Sequence, residues 1–425
     1  MKRRISAVAA VAVAGLVLAG CSGGGGGGGG EGSGAQAEGL DSRGPISFAM
    51  GANDAGKLEP IIEAWNADHP DEEVTLVELP QEANGQRDTL VQSLQAQSGD
   101  YDVMALDVTW TAEFAANGWL QPLDGDLNLD TSALLPATVE SATYMDTLYA
   151  APQNTNAQLM FYRTDIVDEV PTTWDDLLAY RDAADAENLD LLIMQLKNYE
   201  GLTVQTTQAI NSWGGSVVDA DGKTPTVDSD EAKAGIEALA EAYANGDIPK
   251  AANGYTEEQT NLSFLAGETV FAYNWPYMYD TAMSEETSQV KDKFDVAAIV
   301  GPDGPGASTL GGYNNGINVY SENKATAFDF VQFILSEENQ KGFAEQSFPP
   351  VLASIYEDES LIEQFPYLPA LKDALDNAQP RPVTPFYAAV SKAIADNAYA
   401  AIVEGKPVDE VVTNMSDAIT SSTAG

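Results

Sequence analysis

The chain has 425 residues, 65 of them acidic and 20 basic, with one histidine, one cysteine and a formal net charge of −45. A field of that sign opposes phosphate backbones and anionic headgroups, which argues against nucleic-acid binding and basic-patch membrane association. One cysteine and one histidine permit no intrachain disulfide, no His/Cys metal set and no histidine-based nucleophile pair beyond His69, which stands beside Pro70 at a helix end.

In chain order, Lys2, Arg3 and Arg4 precede the apolar stretch Ile5 to Leu18, which reads as an export signal and is too short for a membrane span. It ends in Leu18-Ala19-Gly20-Cys21, which resembles the lipobox where bacterial lipoproteins are acylated and cleaved. Residues 1–20 are therefore expected to be removed, and Cys21 to carry a lipid whose chains bind membrane by about 0.8 kcal/mol per buried CH₂. Gly23 to Gly30 and the following Glu31-Gly32-Ser33-Gly34 form a tether within residues 21–40, because such a tract has nothing to bury. The expected location is the extracytoplasmic face of the cell membrane.

From about Leu40 the composition becomes globular, and its length predicts two lobes. Ile46 to Met50 reads as a strand, and Lys57 to Ala67 as a helix with Leu58, Ile61, Ile62 and Trp65 on one face. A strand over Val74 to Leu79, a helix around Leu90, Val91 and Leu94, and a strand over Tyr101 to Leu106 complete a βαβαβ pattern. That alternation predicts a mostly parallel sheet covered by helices, with ligands beyond the carboxyl ends of its strands. The loops carrying Gly51-Ala52-Asn53-Asp54 and Asp107-Val108-Thr109-Trp110 then share one rim.

Thr173 with Asp176 three residues on reads as a capping box, a structural motif. Gly301 to Gly306 reads as a surface turn. Leu310-Gly311-Gly312-Tyr313-Asn314-Asn315-Gly316 reads as a binding loop or hinge before a strand at Ile317 to Tyr320. Helices are expected over Thr326 to Leu335 and around Val411, Val412 and Met415.

Four stretches stand in an order that matters more than any one of them: Gly99 to Val103, Asp107 to Ala115, Asn274-Trp275-Pro276-Tyr277, and Arg381-Pro382-Val383-Thr384-Pro385-Phe386-Tyr387. Together they resemble the extracellular solute-binding proteins of bacterial ABC sugar importers (family 1 type), nearest to the trehalose/maltose-binding branch. The resemblance implies an α/β fold of the two-lobed periplasmic-binding-protein type, with crossing segments near 150–154, 310–317 and 335–342. It places the first lobe at 41–152 with 313–340, and the second at 153–312 with 341–425. It further implies capture of a sugar without catalysis and membrane permease subunits as partners; a monomer without cofactor or metal is expected, with an oxygen-ligated ion site left open although no calcium-loop spacing is present.

A sugar presents hydroxyls and apolar C–H faces, so its site needs carboxylates, amides and arginine beside aromatic rings. By resemblance, Asn53, Asp54, Gln86 and Asp107 belong to the first lobe's share. Asn154 and Asn156 are assigned to the second, with Trp275 for stacking, Gly312 and Tyr313 at the glycine loop, and Arg381 as a planar fork of donors. Each has a structural alternative: Trp275 in a core, Arg381 paired with an acidic neighbour, Asp107 capping the helix over Thr109 to Asn117, Asn53 and Asp54 making a turn. Tyr273 and Tyr313 depart from residues common in that branch, which separates sugar binding from trehalose specificity.

The rival functions are an exported glycoside hydrolase, for which carboxylate pairs are abundant but no catalytic motif is visible, and a binding protein for another polar solute.

Overall fold

The computed structural model describes residues 39–219 and 222–423. The export segment, Cys21 and the glycine tether lie outside the described residues.

Eleven strands are described. In the first half lie β1 (Ile46–Gly51), β2 (Val74–Leu79), β3 (Val103–Asp107), the short hairpin β4 (Thr143–Tyr144) and β5 (Thr147–Leu148), and β6 (Ala150–Ala157). They are followed by β7 (Leu159–Arg163), β8 (Asp190–Ile193), β9 (Thr269–Asn274), β10 (Phe294–Ala298) and β11 (Leu310–Ile317). One sheet has the order β2-β1-β3-β11-β6 and a second the order β10-β7-β9-β8.

The βαβαβ expectation holds for three strands of the first sheet, where β1 pairs parallel with both β2 and β3, but the sheet is mixed rather than mostly parallel, because β11 runs antiparallel to β3 and β6. Alternation along its strands buries both faces: Phe48, Met50, Val103 and Ala105 enter one core, and Ala49, Met104 and Leu106 the other. The second sheet repeats the device, with Met160 and Tyr162 in one core and Leu159 and Phe161 in another. The predicted capping box is present: the Thr173 hydroxyl accepts from the Asp176 N–H, and the Asp176 carboxylate accepts from the Thr173 N–H, opening the helix Trp174–Leu178.

The glycine segment departs from expectation. Leu310–Ile317 is itself a strand, paired antiparallel with β3 and β6, and the expected strand at Ile317 to Tyr320 ends at its first residue. Small residues let β11 lie between two strands in tight contact. A Cβ on Gly316 would come within 2.8 Å of Leu106 Cδ1, and one on Gly312, where φ is +119°, within 2.3 Å of the Asn154 carbonyl oxygen.

That pairing also moves the lobe boundaries. β6 stays in register with β11 as far as Ala157, opposite Leu310. Boundaries at 152/153 and 312/313 would cut both strands of one ladder; the chain instead passes between sheets at Gln158 and at Ser308-Thr309. Four buried glutamines grip these passages. Gln158 donates to Gln195 (3.0 Å) and accepts from Gln205 (2.8 Å) and Gln208 (3.2 Å), while Gln208 accepts from the Thr309 N–H (3.3 Å). Further along, Phe343 and Phe348 still pack in the first core while Ala344 and Val351 pack in the second lobe's, so the third passage lies beyond 340.

Candidate functional site

A cavity of about 540 Å³ lies between the two sheets. The carboxyl ends of β1, β2 and β3 deliver Asn53, Asp54, Glu82 and Asp107 to its wall, and the carboxyl end of β9 delivers Trp275 from the other side. The start of β11 supplies Gly311, Gly312 and Tyr313.

Nine of the ten expected ligand residues line this cavity: Asn53, Asp54, Gln86, Asp107, Asn156, Trp275, Gly312, Tyr313 and Arg381. Asn154 does not. It is buried, and its Oδ1 accepts the Tyr313 N–H (3.1 Å), so it holds β11 in place rather than facing a ligand. Asn154 and Asn156 also belong to β6 of the first sheet, not to the second lobe, because β6 completes its ladder before the chain crosses.

Trp275 is half-buried on the cavity wall and absent from the apolar cores. Its ring lies against β11, where a Cβ on Gly311 would approach Trp275 Cζ3 to 2.9 Å. Gly311 thus makes room for an aromatic platform. Asp107 does not cap the following helix through its end; its Oδ1 accepts from the Thr109 N–H (3.0 Å) and hydroxyl (2.8 Å), a local turn that aims the carboxylate.

Arg381 is the best-tied member. Its side chain is 1% exposed, with Nη2 donating to Asp107 Oδ1 (2.9 Å) and Nη1 to Glu200 Oε1 (2.7 Å). The acidic-partner alternative is therefore realised twice over, and at the same time the group lines the cavity. Glu200 also accepts from the Tyr387 hydroxyl and from Ser391 Oγ (2.5 Å). Asp107 is contributed by the first sheet, whereas Glu200 opens the helix Glu200–Ser212, against which the helix Tyr387–Ile402 packs. The ion pair therefore bridges the lobes. So do Lys197 with Glu82 (2.5 Å) and the Glu200 N–H with Asn84 Oδ1 (3.3 Å).

Sequence reasoning missed Glu82, Lys197, Glu200, Glu257, Tyr277 and Phe348, all on the wall. Glu200 and Glu257 each begin a helix, where an acid reads as dipole complementation and gives no further signal. Burial pushes the Asp54 carboxyl above its ordinary value of 3.8, with Lys57 only partly opposing. Burial likewise pushes Glu257 above 4.5 despite the Tyr199 hydroxyl, and Glu200 above 4.5 despite Arg381.

These shifts fix the sign of a pH effect. A carboxyl whose folded pKa is raised contributes stability fully present below its unfolded pKa and lost as pH rises through the folded one. For the unliganded protein, differential scanning calorimetry of wild type and Glu257→Gln should show their stabilities diverging as pH rises from about 4.5, with the variant relatively more stable at the upper end. Parallel curves would mean that Glu257 ionises as freely in the cavity as in the unfolded chain.

Among the described residues, no group of three or more His, Cys, Asp or Glu side chains is placed to hold a metal ion, and no helix is long and apolar enough to cross a membrane.

The chain is similar to several known proteins. It is 33% identical over 326 residues to a probable ABC transporter-binding protein of Deinococcus radiodurans, covering 73% of this chain and 76% of the relative. Its fold superposes on maltose-bound MalE3 of T. maritima with a TM-score of 0.83 and 32% identity, over 88% of this chain and 98% of that one. The GacH receptor of Streptomyces glaucescens, at 23% identity, shares the fold with a TM-score of 0.81 over 90% of this chain and 99% of that one. The sequence pattern of the bacterial extracellular solute-binding proteins matches residues 51–341. With the two-lobed α/β architecture and the cleft already described, this places the chain in the family of bacterial extracellular solute-binding proteins.

Proposed function

We propose that the protein is the substrate-binding subunit of an ABC importer and captures a sugar, a di- or oligosaccharide of the trehalose or maltose kind, for delivery to a membrane permease. The observation that carries this reading is the cavity wall: carboxylates, amides and a guanidinium set beside Trp275, Tyr277, Tyr313 and Phe348, drawn from both lobes. Hydroxyls need groups that accept and donate, and sugar C–H faces need rings. The similarity to maltose-bound MalE3 and to an ABC transporter-binding protein supports it.

In this reading the open form admits the sugar, and closure brings Asp107 and Arg381 to one ligand together. Closure requires that the ligand favour the closed state, and contacts from both lobes provide that difference. Nothing in the proposed cycle breaks a covalent bond. Cys21, lipid-modified at the outer face of the membrane, would hold a monomeric sugar trap near its permease through the glycine tether.

Thermal shift against trehalose, maltose, maltodextrins, monosaccharides and polyols tests the assignment. A ligand at 100 times its dissociation constant adds about 2.7 kcal/mol of stability, and the shift should persist unchanged on long incubation. Release of shorter sugars would favour a hydrolase. Silence across the panel would sink the saccharide assignment and leave another polar solute; a mannitol-binding protein of Pseudomonas aeruginosa, 31% identical over 27% of this chain and 26% of that relative, is a reason to include polyols.

A further inference from the structure

Among the described residues, six carboxylates line the cavity, those of Asp54, Glu82, Asp107, Glu200, Glu257 and Glu258, against two cations, Lys197 and Arg381. Both cations are already engaged. Lys197 is bonded to Glu82 at 2.5 Å, and Arg381 holds Asp107 and Glu200 at 2.9 and 2.7 Å. Asp54, Glu257 and Glu258 have no ion-pair partner among the described residues; Lys57 acts on Asp54 from outside the lining, with its ammonium donating to the Gln346 carbonyl (3.3 Å).

A second observation is independent of charge. The Asn53 amide nitrogen faces Asp54 Oδ2 (2.7 Å), a carboxylate oxygen, which turns Asn53 Oδ1 toward Gln86. The Gln86 amide nitrogen donates to that Oδ1 (3.0 Å) and to the Gln81 carbonyl (3.1 Å), so the orientation of Gln86 is fixed at both contacts. Its Oε1 is left buried, with no partner among the described residues, in a residue that is 2% exposed and lines the cavity. A buried acceptor in that state calls for a donor from the ligand. Asn156 Oδ1 is a second unpartnered acceptor on the wall, and Arg381 Nε an unpartnered donor, a mixture that a hydroxyl satisfies from either side.

We propose that the cavity selects its saccharide by charge, accepting neutral and amine-bearing sugars and rejecting those that carry a carboxylate or phosphate. This rests on the saccharide reading above. Among the described residues a ligand anion would find no unengaged cation on the wall: drawing Arg381 toward itself would strand Asp107 or Glu200, whose side chains are 17% and 12% exposed, and reaching Lys197 would mean displacing or meeting the Glu82 carboxylate beside it. An ammonium would meet Asp54 or Glu257 instead.

Calorimetric titration with matched triplets tests this. The triplets are glucose, 6-amino-6-deoxyglucose and glucuronate, and the same three substituents at C6 of maltose and trehalose. The 6-amino form of the sugar that binds should match its parent within tenfold or bind more tightly, and the acid should bind at least 100-fold more weakly. Glu82→Gln, which removes the carboxylate from Lys197, should raise the acid's affinity at least tenfold. An acid within tenfold of its parent, an amine rejected as strongly as the acid, or a Glu82→Gln variant with no gain for the acid would each overturn charge selection while leaving saccharide binding standing. If no member of any triplet binds, the saccharide reading falls and charge selection with it.

Discussion

Replacing Arg381 with alanine is expected to abolish saccharide binding and to lower stability by about 3 to 5 kcal/mol, the range for removing one partner of a buried ion pair. Two carboxylates depend on this guanidinium, Asp107 and Glu200, and neither can turn fully to water: their side chains are 17% and 12% exposed. Glu200 has a second course, because burial already favours its protonated form. It can take up a proton when the cation is lost, so the cost should fall toward the lower end.

Companion variants separate packing from charge. Arg381→Lys restores a positive charge but presents a point ammonium where a planar fork reaches two carboxylates, so it should regain part of the stability and little of the binding. Arg381→Ala combined with Glu200→Gln should regain stability without regaining binding. Urea unfolding and titration of the sugar found by thermal shift measure the two properties separately. Full sugar affinity in Arg381→Ala would show that the residue only ties the lobes together.

Gly312→Ala is the second large effect, expected at about 3 kcal/mol or more. Alanine there must adopt φ near +119°, which strains any L side chain by about 1 to 3 kcal/mol, and its Cβ would sit 2.3 Å from the Asn154 carbonyl oxygen. Backbone cannot swing aside as a side chain can. The substitution must shift β11 from β6 next to the Tyr313 N–H that bonds Asn154, so binding should weaken with stability. Gly118→Ala is the control: φ there is +70° and a Cβ meets nothing within 4 Å, so it should cost only about 1 kcal/mol by urea unfolding. Equal losses at the two positions would mean that the contact with Asn154 relaxes freely.

The cavity wall also shows what the sequence made legible. Asp107 and Arg381 were singled out by resemblance and both line the cavity, yet nothing local reveals that they meet, because 274 positions separate them. Glu200 and Glu257 escaped notice for the same reason: acids opening helices have a sufficient local explanation, and their convergence is a property of the folded chain. β1, β2 and β3 were readable as short runs alternating with helical segments, β1 and β3 being apolar almost throughout because both of their faces are buried. β11 was not, because its glycines and asparagines carry no strand signal; its identity as a strand comes from the neighbours that demand small residues, Asn154, Trp275 and Leu106. Asn154 was misplaced by the same blindness, since a polar residue past a crossing reads as a ligand contact until the ladder shows what it holds.

Small-angle X-ray scattering of the mature chain, alone and saturated with the sugar that shifts its melt, tests capture by closure most directly. Binding energy drawn from both walls predicts a smaller radius of gyration with sugar bound, and no such contraction in Arg381→Ala at the same sugar concentration. A bound protein with the dimensions of the free one would contradict the account.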